Sequence, residues 1–202
     1  HDCHALIPLS ASTSKRVFLF AMFSFLKKSR VSPKPLPDLP ADAPASESPR
    51  MRKVLNVGGN SKEIQIPEAF GGWQHVMLDI DPAVRPDVVC DARELATLKG
   101  SEYDAVYCSH NLEHYFHHDV SRVLAGFLHV LKDDGFAYIR VPDMAELMRA
   151  VVRDGRDIED VLYQSPAGPI AVIDVIYGLR TEIASSGNDF FAHKTGFTRK
   201  SL

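Results

Sequence analysis

A Rossmann-like open, mostly parallel α/β sheet flanked by helices is the fold that this sequence predicts. Short apolar runs recur at 53–57, 75–79, 86–90, 103–108 and 136–141, and most of them exit into acids or other polar residues. Between the last runs lie stretches with apolar residues three and four apart, which is helical spacing. Strands alternating with helices indicate parallel pairing, because each return crossover needs a helix to cover the sheet.

The chain has 202 residues, 45% of them apolar, enough for one domain with a real core and an appendage. Its formal net charge is −3 with the signs interspersed, so it has no basic field for nucleic acid and no polybasic membrane anchor. A small-molecule partner and no nucleic acid are expected. Cys3, Cys90 and Cys108 are odd in number and lack metal-type spacing, which points to a reducing, cytoplasmic setting. Cys90 and Cys108 sit where strand-end core residues are expected.

Residues 17–26, Val-Phe-Leu-Phe-Ala-Met-Phe-Ser-Phe-Leu, are apolar between Lys15-Arg16 and Lys27-Lys28. The run is too short to span a bilayer, and no cleavage pattern of small residues follows it. A start at Met22 is the alternative reading. Prolines at 33, 35, 37, 40, 44 and 49 then make a linker that propagates neither helix nor central strand. Residues 1–50 are accordingly expected to be a disordered extension with a Pro-rich linker, and 51–202 a cofactor-binding domain.

Within that domain, Val54-Leu-Asn-Val-Gly-Gly-Asn60 is a buried strand running into a glycine turn. Gly58, Gly59 and Asn60 accept positive φ, and such a turn lets a ligand approach main-chain N–H groups. The connection 61–74, with Pro67 and Gly71-Gly72, has little room for a long helix. His75 to Pro82 is a second strand closing in Asp79 and Asp81. Pro86 to Asp91 is a shorter third, and Tyr103 to Cys108 a fourth, leaving into Ser109-His110-Asn111.

Val120, Val123, Leu124, Phe127, Leu128 and Leu131 mark an amphipathic helix over 119–131, stopped at Asp133-Asp134-Gly135. Phe136 to Val141 is a fifth strand, and Asp143 caps a helix over Met144 to Val152. The segment 155–188 reads as helix and loop over the active face, with Ala171 to Tyr177 buried, and it is expected to line the acceptor side of the cleft together with His193-Lys194-Thr195-Gly196-Phe197. A last helix is expected from Thr198, with the closing strands of the fold beyond Leu202.

Ligands of an open parallel sheet bind beyond the carboxyl ends of its strands. Asp79 there is placed to accept from both hydroxyls of a ribose, with Asp81 its competitor. Asp91 can accept from an adenine amino group, with Ala92 and Leu95 walling the ring. Each acid has a plainer reading as a helix cap.

The order Asn-Val-Gly-Gly-Asn, Leu-Asp-Ile-Asp-Pro, Cys-Asp-Ala, Tyr-Asp-Ala-Val-Tyr-Cys-Ser-His-Asn-Leu-Glu-His and Val-Leu-Lys-Asp-Asp-Gly-Phe-Ala-Tyr-Ile resembles the class I S-adenosylmethionine-dependent methyltransferases over about residues 53–141. The resemblance implies S-adenosyl-L-methionine as cofactor and methyl transfer as the activity, and the absence of a basic field favours a metabolite, sugar or lipid precursor over nucleic acid as acceptor. The resemblance assigns Asn56, Gly58, Gly59 and Asn60 to the methionine end and Asp79 with Ile80 to the ribose. Asp91 and Ala92 go to the adenine, and Ser109 and Asn111 to the open side. Two positions depart from the family pattern, Asn56 for an acid and Asn60 for a glycine.

For an acceptor that must lose a proton, His110 and His114 are the candidate bases, and Tyr107 or Tyr115 can face the sulfonium. The preferred reading assigns no metal. The rival reading takes His110-Asn-Leu-Glu113-His114 as the H-x-x-E-H of a zinc hydrolase, which requires the pentapeptide inside a helix with a third ligand nearby. A nicotinamide dehydrogenase would need glycines where Asn60 and Glu63 stand. A degenerate binding module without activity is the remaining alternative.

Overall fold

The structure is a computed structural model that describes residues 5–7, 16–22, 50–165 and 168–202, with 5–7 and 16–22 described by backbone alone. Its main sheet has seven strands: β1 (Ala5–Ile7), β2 (Arg16–Met22), β3 (Lys53–Val57), β4 (Gln74–Asp79), β5 (Val88–Val89), β6 (Tyr103–Ser109) and β7 (Leu131–Pro142). Their spatial order is β1-β2-β7-β6-β3-β4-β5, and all pairs are parallel except β1 with β2. The predicted Rossmann-like parallel sheet is therefore present, with its five predicted strands in place.

Residues 5–7 and 16–22 were expected in a disordered extension, yet they pair as strands at the β7 edge, Arg16 opposite Phe136 through Met22 opposite Pro142. The apolar, aromatic composition of 16–22 suits a strand covering an otherwise open edge. The Pro-rich linker of 33–49 lies outside the described residues.

Alternation along the strands divides the core between the two sheet faces. Leu55, Val57, Val106, Cys108, Ile139 and Val141 point to the face covered by helix α1 (His117–Val130). Val120, Val123, Phe127 and Val130 form the buried stripe of that helix. Gly126 lets α1 approach the turn 92–97, since a Cβ there would lie 2.7 Å from the Leu95 Cβ. On the opposite face Val54, Ala105 and Tyr107 pack under Phe70, which makes ring contacts with Trp73, Tyr107, Phe136 and Tyr138. The short connection after β3 thus supplies only a turn at Glu68–Phe70, and one aromatic ring does the covering.

The expected stop at Asp133-Asp134-Gly135 ends α1, but it is absorbed into β7 as an irregularity. Tyr103 faces Leu131 and Ala105 already faces Phe136, so five steps along β7 answer two along β6.

Helix α2 (Met144–Asp154) starts as predicted, with Asp143 accepting from the N–H groups of Ala145 and Glu146, and ends on Gly155 at φ 59°. The segment after it departs from the expected helix and loop. It opens with a hairpin, β8 (Val161–Ser165) and β9 (Gly168–Ala171), followed by helices α3 (Val172–Tyr177) and α4 (Arg180–Ser186). Leu162, Ile170, Val172 and Val175 pack on Leu147 of α2 as a separate small core. The alternation in the hairpin was too short to be seen as strand pattern. After Thr198 there is a single turn in place of a helix, with the Ser201 and Leu202 N–H groups donating to the Thr198 carbonyl.

Candidate active site

The chain leaves β3 for β4 and β5 on one side, then crosses back to β6 and β7 on the other. The crevice between β3 and β6 is the topological switch point, where parallel sheets open at their carboxyl ends. A cavity of about 530 Å³ lies there, lined by Gly58 to Asn60 after β3, Asp79 to Asp81 after β4 and Ser109 to Asn111 after β6. That volume suits a small ligand.

The glycine turn is held from both sides. The Gly58 N–H donates to the Leu78 carbonyl at 2.9 Å, and Gly58 has φ 70°. A Cβ on Gly58 would lie 2.1 Å from Asn111 Nδ2, so the asparagine lies directly on the bare backbone. Asn60 adopts φ 55°, the left-handed conformation that the missing family glycine would supply, and its N–H donates to Asp79 Oδ2 at 3.0 Å. Asn56 is buried, and its Nδ2 lies 3.1 Å from His75 Nε2. Burial lowers the His75 pKa, with Asp87 opposing, so the neutral ring offers Nε2 as an acceptor for the amide.

Asp79 also accepts from the Asp81 N–H, through Oδ1 at 3.0 Å. Each carboxylate oxygen is thus aimed by one backbone donor and keeps a lone pair for a ligand. Asp81 also lines the cavity, and its Oδ1 accepts from Ala83 N–H to close the turn 82–84. Ile80 lines the cavity, partly exposed.

Asp91 and Ala92, expected at the adenine, are not among the residues lining this cavity. Asp91 caps the turn 92–97 by accepting from Arg93 N–H, and its Oδ2 takes the Arg93 guanidinium at 2.6 Å. That partner outweighs burial and lowers the Asp91 pKa. Ala92 is fully buried and Tyr115 does not reach the cavity, whereas Tyr107 does.

Beyond Ser109 the backbone turns sharply, with His110 at φ 51°, into one short turn at Leu112–His114. His110 and His114 both line the cavity. The pentapeptide is therefore not helical, and the zinc-hydrolase geometry is not formed. His114 places Nδ1 3.1 Å from the Ala192 carbonyl and Nε2 3.1 Å from the His110 carbonyl, so each ring nitrogen faces a backbone acceptor. Glu113 points inward, its side chain 2% exposed, with neither carboxylate oxygen hydrogen-bonded and His110 Nδ1 at 3.5 Å. Burial pushes its pKa up, but His110, His114 and His193 together hold it below the ordinary carboxylate range.

His193 is the residue that the sequence reading did not assign to the chemistry. Lys194 and Thr195 donate their N–H groups to the Glu113 carbonyl, which carries His193 to the turn. Its ring stands edge-on to His114 at 4.9 Å between centroids. His193 Nδ1 donates to the Val175 carbonyl at 2.9 Å, which leaves Nε2 free, and burial lowers its pKa. The hairpin was missed too: Tyr163, Gln164, Ser165 and Ile170 wall the cavity together with Phe190 and Phe191. Its one sequence signal was Ser165-Pro-Ala-Gly168-Pro169, a turn composition between apolar residues.

Among known proteins, residues 55–139 match the methyltransferase domain family. No curated protein matches the chain. Of solved structures, a SAM dependent methyltransferase from Archaeoglobus fulgidus is 20% identical with a TM-score of 0.42, over 76% of this chain and 57% of that one. A protein from Pyrococcus horikoshii OT3 is 20% identical with a TM-score of 0.41, over 60% of this chain and 66% of that one. The chain thus spans less than two thirds of the length of either. The family match begins inside β3 and ends inside β7, so it takes in the whole parallel unit that carries the glycine turn, Asp79 and the β6 exit. Over those residues, a little under half of its length, the chain is similar to the methyltransferase domain family.

Proposed function

We propose that this protein transfers a methyl group from S-adenosyl-L-methionine to a small-molecule acceptor, a metabolite, sugar or lipid precursor. The observation that carries the reading is Asp79, whose two oxygens are each aimed by a backbone N–H at the rim of a cavity that also contains the bare Gly58 backbone. These residues fit the cofactor: an ionised acceptor pair suits a ribose diol, and exposed main-chain groups suit an amino-acid moiety. Bound there, the cofactor supplies an activated methyl group on a sulfonium.

Asp79 would hold the ribose with Ile80 beside it, and Asn56, Gly58, Gly59 and Asn60 would shape the methionine end. Ser109 and Asn111 would close the open side. Tyr107 on the cavity wall can face the positive sulfonium. Catalysis then rests mainly on positioning the acceptor at attacking distance. The walls of β8, β9 and α3 would do that positioning, with Tyr163, Ile170 and Val175 offering apolar surface and Gln164, Ser165 and Asp174 polar groups. Among the histidines, His110 and His193 keep a ring nitrogen for a proton, whereas both nitrogens of His114 face carbonyls.

The absence of a basic field favours a small acceptor over nucleic acid, and cysteine usage favours a cytoplasmic setting. No helix among the described residues is long and apolar enough to cross a membrane. Calorimetric titration with S-adenosylhomocysteine, followed by an acceptor screen with methyl-labelled cofactor, tests the proposal. Micromolar binding with label transfer to one acceptor class is expected. Binding without transfer to any class would leave a cofactor-binding module, for which the replacement of the family acid by Asn56 is the motive.

A further inference from the structure

We propose that Glu113, His114 and His193 bind one divalent transition-metal ion of the zinc type at the acceptor end of the cleft. Each offers a ligand atom, and these atoms lie within 4.8 Å of one another. Two imidazoles and one carboxylate are the donor set of catalytic zinc sites, and they are too nitrogen-rich for magnesium or calcium.

The buried carboxylate is the strongest sign. Both oxygens of Glu113 are shut off from solvent and have no hydrogen-bond partner. A carboxyl group buried with neither oxygen paired is costly unless a ligand supplies the missing partner. His110 Nδ1, at 3.5 Å and on a half-exposed side chain, is a poor substitute for direct ligation.

The histidines have the outer contacts that metal ligands need. A ligating imidazole usually donates its other N–H to a carbonyl or carboxylate, which fixes ring and tautomer. His193 does this through Nδ1 to Val175, leaving Nε2 free. His114 has a carbonyl 3.1 Å from each nitrogen, so one carbonyl can hold the ring while the other contact must be given up for that nitrogen to ligate. The two backbone bonds from Lys194 and Thr195 to Glu113 bring together ligands 80 positions apart in the chain.

Because His114 and His193 line the cavity, an ion held here would have its open position facing the acceptor. That part of the inference rests on the methyl-transfer reading. An acceptor hydroxyl bound to the ion would release its proton to solvent. Its oxygen would then form the new O–C bond as the methyl C–S bond breaks, the electron pair remaining on sulfur.

The test uses the full 202-residue chain without a histidine tag, stripped with chelator and titrated separately with Zn²⁺ and Co²⁺. One equivalent should bind with release of protons, and Co²⁺ should give the visible absorption of a four- or five-coordinate site. Glu113→Gln and His193→Ala should each weaken Zn²⁺ binding by about 100-fold or more. In the unsubstituted protein, Zn²⁺ should protect His114 and His193 from diethylpyrocarbonate, read by peptide mass, so the test stands even where a variant fails to fold. No uptake, or uptake that leaves both histidines unprotected, overturns the site. S-adenosylhomocysteine binding is measured on the same samples. Binding of S-adenosylhomocysteine without metal uptake overturns only the metal site, and metal uptake without S-adenosylhomocysteine binding overturns only the methyltransferase reading.

Discussion

Asn111 lies so close over Gly58 that a single methyl group on the glycine would overlap its amide, at 2.1 Å from Nδ2. The end of β6 thereby closes the turn that follows β3, and the two neighbouring strands share one ligand-facing surface.

Gly58→Ala should therefore fail twice, by strain at φ 70° and by displacement of Asn111. The strain alone is about 1–3 kcal/mol. S-adenosylhomocysteine affinity should fall more than about tenfold. In a double-mutant cycle with Asn111→Ala the losses should be less than additive, because the second change removes the overlap but not the strain. Strict additivity in calorimetry would disprove the coupling.

Asp79→Ala should weaken cofactor binding by about 1–3 kcal/mol, the range for charge-assisted hydrogen bonds. Asp81→Ala should do less, since its carboxylate is engaged by Ala83. Equal effects in the same titration would move the ribose contact to Asp81.

The contact between Asn56 and His75 sets a pH dependence. The folded protein lowers the His75 pKa, so the stability it contributes is full above the unfolded value, roughly 6.5, and is lost as pH falls through the folded value. Asn56→Asp should raise the His75 pKa by placing a carboxylate where the amide now donates. NMR titration of the His75 ring protons checks the direction, and an unmoved pKa would mean that the two side chains do not touch in solution.

Asp174 joins the cleft wall to α4. It is buried and takes Arg180 Nε and Ala171 N–H, each at 2.9 Å. Burial opposes ionisation, but the Arg180 partner wins and lowers its pKa. Its stabilisation is then full above the ordinary carboxylate value, roughly 4, and is lost as pH falls through the lowered folded value. Asp174→Asn should cost about 2 kcal/mol at neutral pH and flatten the acid limb of a thermal-stability profile. A variant as stable as the parent at pH 7 would show the pair to be inert.

The parallel unit was legible because its physics is local and periodic. β3, β4, β6 and the stripe of α1 bury residues at strand or helix spacing, and Asp143 announced α2 with its own cap. Gly58, Asn60 and Asp79 were legible for a similar reason, since strand exits collect at one end of a parallel sheet. Asp91 misled because an acid after a strand also caps a turn, and Arg93 two residues on was the clue to that role. His193 was expected on the acceptor side of the cleft, but its place beside Glu113 and His114 was not legible, because only the backbone bonds from Lys194 and Thr195 to Glu113 bring it there. The hairpin gave too few alternating residues to outweigh its prolines and glycine.

The cavity wall runs from Asn56 to His193, so residues from β3 through α3 and the stretch after α4 must be in place before the pocket is complete. A nascent chain that has exposed only the parallel unit carries the glycine turn and Asp79 but neither the hairpin nor His193. It has half a binding site. Closing the pocket is a long-range event in folding, slow by contact order and late in synthesis. Cofactor present during refolding would thus act on the last step, holding the C-terminal third once it has docked.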